Sequence, residues 1–117
     1  MAVTRQVGSK TDCKESATDL RDKELYFAKR TAAGLFTLCG AGEKIAGVIS
    51  EGRDVGYHTS VDTGNQLKAV AGGAITAGDD VQSDAKGKAI TGSTNAIGVA
   101  INSVSAGEVV EFDTDRK

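Results

Sequence analysis

The sequence predicts an all-β chain, a small β-sandwich or β-barrel built from two diverged strand repeats, with an extended N-terminal arm. Three observations carry that expectation. Apolar residues come in short runs divided by Gly, Asp, Asn and Ser, and beyond residue 24 no stretch sustains the 3.6-residue spacing of an amphipathic helix. Gly supplies 15 of the 117 residues and Pro none, so the turns rest on glycine, which reaches positive φ at no steric cost. The glycine-bounded motifs of the first half also return in the second.

Residues 1–23 form the arm. Their only large apolar residues are Met1, Val3, Val7 and Leu20, while Arg5, Lys10, Lys14, Arg21 and Lys23 roughly balance Asp12, Glu15, Asp19 and Asp22. So little apolar surface does not offset the entropy of ordering, which makes the segment either a disordered tail or an arm laid on another surface. Residues 24–117 form the β domain. Leu25-Tyr26-Phe27-Ala28 is a compact apolar run, Leu35 to Cys39 is bracketed by Gly34 and Gly40, and Lys44 to Ser50 reads as an apolar strand. Val55, Tyr57, Thr59 and Val61 alternate with Gly56, His58 and Ser60, the period of a half-buried strand. Leu67 to Val70, Ala74 to Thr76 and Val81 to Ser83 are short strands; Ala96 to Ile101 and Glu108 to Asp113 complete the set. In the last, Val110 and Phe112 share one face and Glu111 and Asp113 the other; across the strands, all five aromatics (Tyr26, Phe27, Phe36, Tyr57 and Phe112) fall in core strands.

The repeat is read from three pairings. Ala46-Gly47-Val48 matches Ile97-Gly98-Val99 at a spacing of 51, and Gly34-Leu35-Phe36 resembles Gly87-Lys88-Ala89. Gly52, Val55, Tyr57 and Thr59 match Gly107, Val110, Phe112 and Thr114 at a spacing of 55, the extra residues falling near Asn102 to Ala106. Two such units pack face to face or curl into a barrel.

The bulk numbers narrow function. Ile, Leu, Val and Phe make up 25 residues and Trp is absent, so the core is thin and a large-pocket enzyme is disfavoured. With 14 basic and 16 acidic residues the chain lacks the basic face and stacking aromatics of a nucleic-acid binder. No apolar run nears the roughly 20 residues of a membrane span, and the N-terminus carries no hydrophobic signal region, so synthesis in a cytoplasm is expected. Cys13 and Cys39 are too few for a disulfide framework or a zinc site, and both are expected as thiols.

Each patch of suggestive chemistry has a plainer explanation. The glycines between Gly40 and Gly47 lack the Lys-Ser/Thr pair and following helix of a phosphate loop, because Val48 and Ile49 continue a strand. His58, the only histidine, shares the solvent face of its strand with Gly56 and Ser60, and adjacency to Ser60 is no triad signature, because tertiary structure places a triad's members. Asp79, Asp80 and Asp84 lack the central Gly and closing Glu of a helix-loop-helix calcium site and read as turn formers. Glu108, Glu111 and Asp113 lie on an exposed strand face with no cleft between them, where charge discourages edge pairing. No catalytic, cofactor-binding or metal-ligating residue is therefore assigned.

Three segments, in order, carry a resemblance. Ala17-Thr18-Asp19-Leu20 and Glu24-Leu25-Tyr26-Phe27-Ala28-Lys29 form the opening. Ala69-Val70-Ala71-Gly72-Gly73-Ala74-Ile75-Thr76-Ala77-Gly78-Asp79 forms the centre, followed by Val81, Ser83-Asp84 and Gly87-Lys88-Ala89. Ile97-Gly98-Val99-Ala100 and Ala106-Gly107-Glu108-Val109-Val110-Glu111-Phe112 form the close. Together these are similar to the capsid cement, or head decoration, proteins of tailed bacteriophages, over residues 17–112. Between Ser50 and Asn65 the pattern departs, Glu51-Gly52-Arg53-Asp54 standing where an Ala-Gly-Glu-like turn is expected. The resemblance implies a non-enzymatic structural virion protein on the outer capsid surface that clamps neighbouring major capsid subunits of the expanded head. It also implies a homo-oligomer, a trimer being favoured by the three-fold positions of a shell. No cofactor, nucleic acid or membrane enters this role. The competing reading is a ligand- or glycan-binding β module, a surface- or tail-displayed adhesin, which needs exposed aromatics or a polar pocket.

Overall fold

A computed structural model of the chain describes residues 9–114. These form ten strands: β1 (Ser9–Glu15), β2 (Phe27–Arg30), β3 (Phe36–Leu38), β4 (Gly47–Glu51), β5 (His58–Gly64), β6 (Gln66–Val70), β7 (Asp80–Ser83), β8 (Ala89–Thr91), β9 (Gly98–Ala100) and β10 (Val109–Asp113). They assemble into two five-stranded antiparallel sheets, a small β-sandwich, with strand orders β1-β5-β4-β2-β3 and β6-β10-β9-β7-β8. The second order is the first advanced by five strands, so the two halves share one topology.

That identity fixes the repeat register, and it differs from the sequence reading at one strand. Val48 pairs with Asp62 as Val99 pairs with Asp113, which makes Val61 the counterpart of Phe112 and keeps the spacing of 51 through the last strand. The spacing of 55, which set Tyr57 against Phe112, is thus corrected, and no extra residues are taken up near Asn102 to Ala106. The match of Gly47 with Gly98 has a steric basis. A Cβ on Gly47 would lie 2.5 Å from the Asp62 carbonyl oxygen, and one on Gly98 would lie 2.6 Å from that of Asp113. Only glycine admits the neighbouring strand at that distance.

The two sheets bury their residues differently. In β6, β7 and β10 buried and less buried positions alternate, so the second sheet turns one face to the core. In the first sheet Phe27 and Val48 join the cluster that holds Leu67, Ala69, Val110 and Phe112, while Ala28 and Ile49 join a second cluster with Leu20, Phe36 and Val61. Strands β2 and β4 are thus covered on both faces, which is why their sequences show apolar runs without alternation. Phe36 and Ile49 fill the first unit, whereas their counterparts in the second are Ala89 and Ala100. Phe27 adds bulk there, its ring meeting Phe112 edge to face at 5.9 Å. Backbone bonds clip the halves together: the Phe27 N–H donates to the Gly87 carbonyl (2.7 Å) and the Val70 N–H to that of Leu25 (2.9 Å).

Within the segment read as arm, Ser9–Glu15 runs as β1 beside β5 of this same chain, with seven residue pairs from Ser9 opposite Gly64 to Glu15 opposite His58. Leu20 turns inward and is buried. Main-chain bonds along β5, not apolar content, hold the strand. The part of the arm before Ser9 lies outside the described residues. Of the other short strands, Ala74 to Thr76 is reduced to a single bridge between Ile75 and Val104.

Candidate functional site

The groups singled out as possible chemistry stand apart and mostly serve local geometry. Asp79 accepts from the Thr76 N–H at 3.0 Å and the Thr91 hydroxyl at 3.1 Å; Asp84 accepts from the Lys86 and Lys88 N–H groups at 2.8 and 2.9 Å. Both carboxylates thus tie turns. Among the described residues no three His, Cys, Asp or Glu side chains converge as a metal set. Within the glycine cluster Glu43 accepts from the Gly40 N–H at 2.7 Å and from Lys29 Nζ at 2.8 Å. The Lys29 ammonium, aided by that backbone N–H, lowers the Glu43 carboxyl below its ordinary value. This is a turn, not a phosphate cradle. His58 is exposed, and its strand neighbour Ser60 faces the Cys13 thiol at 3.5 Å. Glu111 approaches Lys68 across the strands at 3.9 Å, while Glu108 ties its own turn through the Ser105 N–H at 2.7 Å.

Both cysteines are free. Cys39 is buried, and loss of solvent raises its thiol pKa. Asp19 is bound by Arg21 through the side-chain Nε and Nη2 and through the backbone N–H, which lowers its carboxyl to about 2 and raises the guanidinium further. A depression of about 340 Å³ is lined by Asp12, Arg30, Lys44, Ile45 and Ala46, but Arg30 and Asp12 already pair within it at 3.3 Å.

What the surface does offer is apolar. Tyr57 is 64% exposed and Val55 56%, and Ile101 and Val109 are exposed to a lesser degree. This corrects the placing of all five aromatics in core strands. Tyr57 lies outside, and Tyr26 is half-buried with Lys23 and Lys88 over its ring at 5.3 and 5.8 Å. The alternation from Val55 onward fails because Gly56, at φ 85°, turns the chain, and the strand starts only at His58. The matching turn in the second half holds Gly107 at φ 89° between Ala106 and Glu108. Aligning Gly56 with Gly107 was the signal that would have put Val55 and Tyr57 on a turn. It also shows that the Ala-Gly-Glu position of the first half is Val55-Gly56-Tyr57, and not Glu51 to Asp54.

The described strands from β2 to β10 all fall within the stretch matched by the family model for phage cement protein, residues 21–114. The chain belongs to the phage cement protein family. No curated protein matches it. Among solved structures it is similar to the head fiber gp8.5 N base of bacteriophage phi29, with a TM-score of 0.71 and 15% sequence identity over 90% of this chain and 92% of that one. At that identity the likeness speaks to the fold. Family membership makes this a capsid-associated structural virion protein. For such a cement protein the functional region is a contact surface.

Proposed function

We propose that this cement protein attaches to the outer surface of the phage capsid, joins neighbouring major capsid subunits and stabilises the expanded head. It works as a homo-oligomer, with a trimer the favoured order, after synthesis in the host cytoplasm, and performs no reaction. The observation that carries this reading is the family match across both sheets. The architecture supports it. The two sheets spend their apolar residues on a shared core, the carboxylates tie turns, and the exposed apolar groups are suited to contact. A protein that binds only the assembled shell stabilises it by mass action, about 2.7 kcal/mol per site at a free concentration of 100 Kd. Summed over many lattice positions, modest contacts suffice.

Co-sedimentation tests this directly. The purified protein is mixed with empty expanded heads and with unexpanded precursor heads, and the expanded heads are then heated with and without it. Binding to expanded heads with a raised disruption temperature is the expected result. Binding to neither, together with retention on a glycan matrix, would replace the cement reading with the adhesin one.

A further inference from the structure

The internal repeat acts as a built-in control for which surface residues the fold requires. The turns at residues 54–57 and 105–108 are the same structure made twice. The Tyr57 N–H donates to the Asp54 carbonyl at 3.1 Å, and the Glu108 N–H to that of Ser105 at 3.1 Å. The Gly56 N–H reaches the Ser16 carbonyl at 3.0 Å, as the Gly107 N–H reaches that of Ala71 at 2.8 Å. In return the Ser16 N–H donates to the Tyr57 carbonyl and the Ala71 N–H to that of Glu108. One backbone, held by the same main-chain bonds, therefore carries two different sets of side chains. In the second copy they are Ala106 and Glu108, and Glu108 works for its own turn by bonding the Ser105 N–H. In the first they are Val55 and Tyr57, whose side chains make no hydrogen bond to another described residue and stand more exposed than any other large apolar residue described. The fold builds the sister turn with no apolar side chain larger than Ala106, so Val55 and Tyr57 are not required by the turn itself.

Resting on the cement reading, we propose that the turn Asp54–Tyr57 is the element that docks on the capsid shell, with Val55 and Tyr57 seated in an apolar depression of the major capsid protein. The surrounding charges favour an apolar partner, because they are already matched within the chain. Arg21 binds Asp19 at 2.8 Å and nears Asp54 at 3.8 Å, and Arg53 binds Glu51 at 2.7 Å. What residues 54–58 keep uncommitted among the described residues is hydrocarbon, the Tyr57 hydroxyl and the His58 imidazole. Area separates a shell from a second copy. Tyr57 and Val55 expose roughly 200 Å² between them, against the roughly 800 Å² per partner of a stable pairwise interface. A pair of copies joined only here would come apart, whereas the homo-oligomer proposed above brings several such turns to the repeated depressions of the shell at once and gathers the contacts together.

The test compares Val55→Ser/Tyr57→Ser with Ala106→Ser/Glu108→Ser, the same change made in the sister turn. The probe is empty expanded heads assembled from the cognate major capsid protein. Each variant is also followed by thermal melt and by sedimentation of the free protein. The proposal expects the first variant to melt within about 2 °C of the parent and keep its oligomeric state. Its attachment should fall about 30-fold or more, as for removal of a buried aromatic anchor, while the sister-turn variant binds like the parent. Parent-like attachment by Val55→Ser/Tyr57→Ser overturns the proposal and leaves the cement reading intact. Equal loss by both variants overturns the assignment to this turn. A changed oligomeric state in the first variant makes the occupant a second copy, which also overturns it. If the parent itself fails to bind, the cement reading falls and this inference with it.

Discussion

Replacing Phe27 with Ala removes the one aromatic ring that the first sheet lends to the core of the second. The ring is fully buried and meets Phe112 edge to face. Its removal leaves a cavity that the small neighbours Ala89 and Ala100 do not fill. Truncations of this kind cost about 3–5 kcal/mol, of which the aromatic pair itself accounts for about 0.5–1.5. Domains of this size have stabilities of about 5–15 kcal/mol, so the variant is expected to fold with most of its margin gone. In a urea titration with a slope of about 1.5 kcal/mol/M, a loss of about 4 kcal/mol moves the midpoint down by nearly 3 M. The parent should unfold in a single transition, because its largest core cluster draws on both sheets. Phe27→Leu should lie between the two proteins, and a double-mutant cycle with Phe112→Leu should show a coupling of about 0.5 kcal/mol or more. A loss under about 1 kcal/mol for Phe27→Ala, or two separate transitions in the parent, would falsify the shared-core argument.

Three further outcomes are expected. Gly47→Ala and Gly98→Ala each press a methyl against a carbonyl oxygen on the neighbouring strand, at 2.5 and 2.6 Å, and should each cost about 1–3 kcal/mol in the same titration. Native protein should take up one equivalent of a maleimide, at exposed Cys13, and a second only in denaturant, because Cys39 is buried and its thiol pKa raised; two fast equivalents would contradict the packing. Asp19 is held at about 2 when folded, below its ordinary 3.8, so its contribution is present above pH 3.8 and disappears as pH falls through 2. Asp19→Asn should therefore lower Tm slightly at pH 7 and by a shrinking amount as pH falls through 2, and a difference undiminished at low pH would point to another cause.

Much of this fold could be read from pattern because the strands that make its core carry their own signal. The alternation of Val110 and Phe112 with Glu111 and Asp113 gave the facing of β10, and both apolar residues are fully buried. The runs at Phe27 and Val48 gave strands without a facing, since residues buried on both sides have no alternation to show. β1 was hidden for the opposite reason. Ser9 to Glu15 contains no large apolar residue, and its place depends on the backbone of β5, a partner far along the chain. Val55 and Tyr57 were misplaced by a periodicity that is real in the sequence and broken in space by Gly56. The turn proposed to dock was illegible for that same reason, since an exposed apolar pair on a turn looks like the start of a strand until the sister turn is set beside it.

The unequal filling of the two halves decides where this polypeptide tolerates being cut. Asn65 alone separates β5 from β6, and a break there looks like the natural seam between twin modules. Yet the C-terminal fragment would lose the ring that fills it, and the N-terminal fragment would expose that ring to water. Each twin is the other's missing piece, so neither is an independent building block for grafting, display or stepwise truncation.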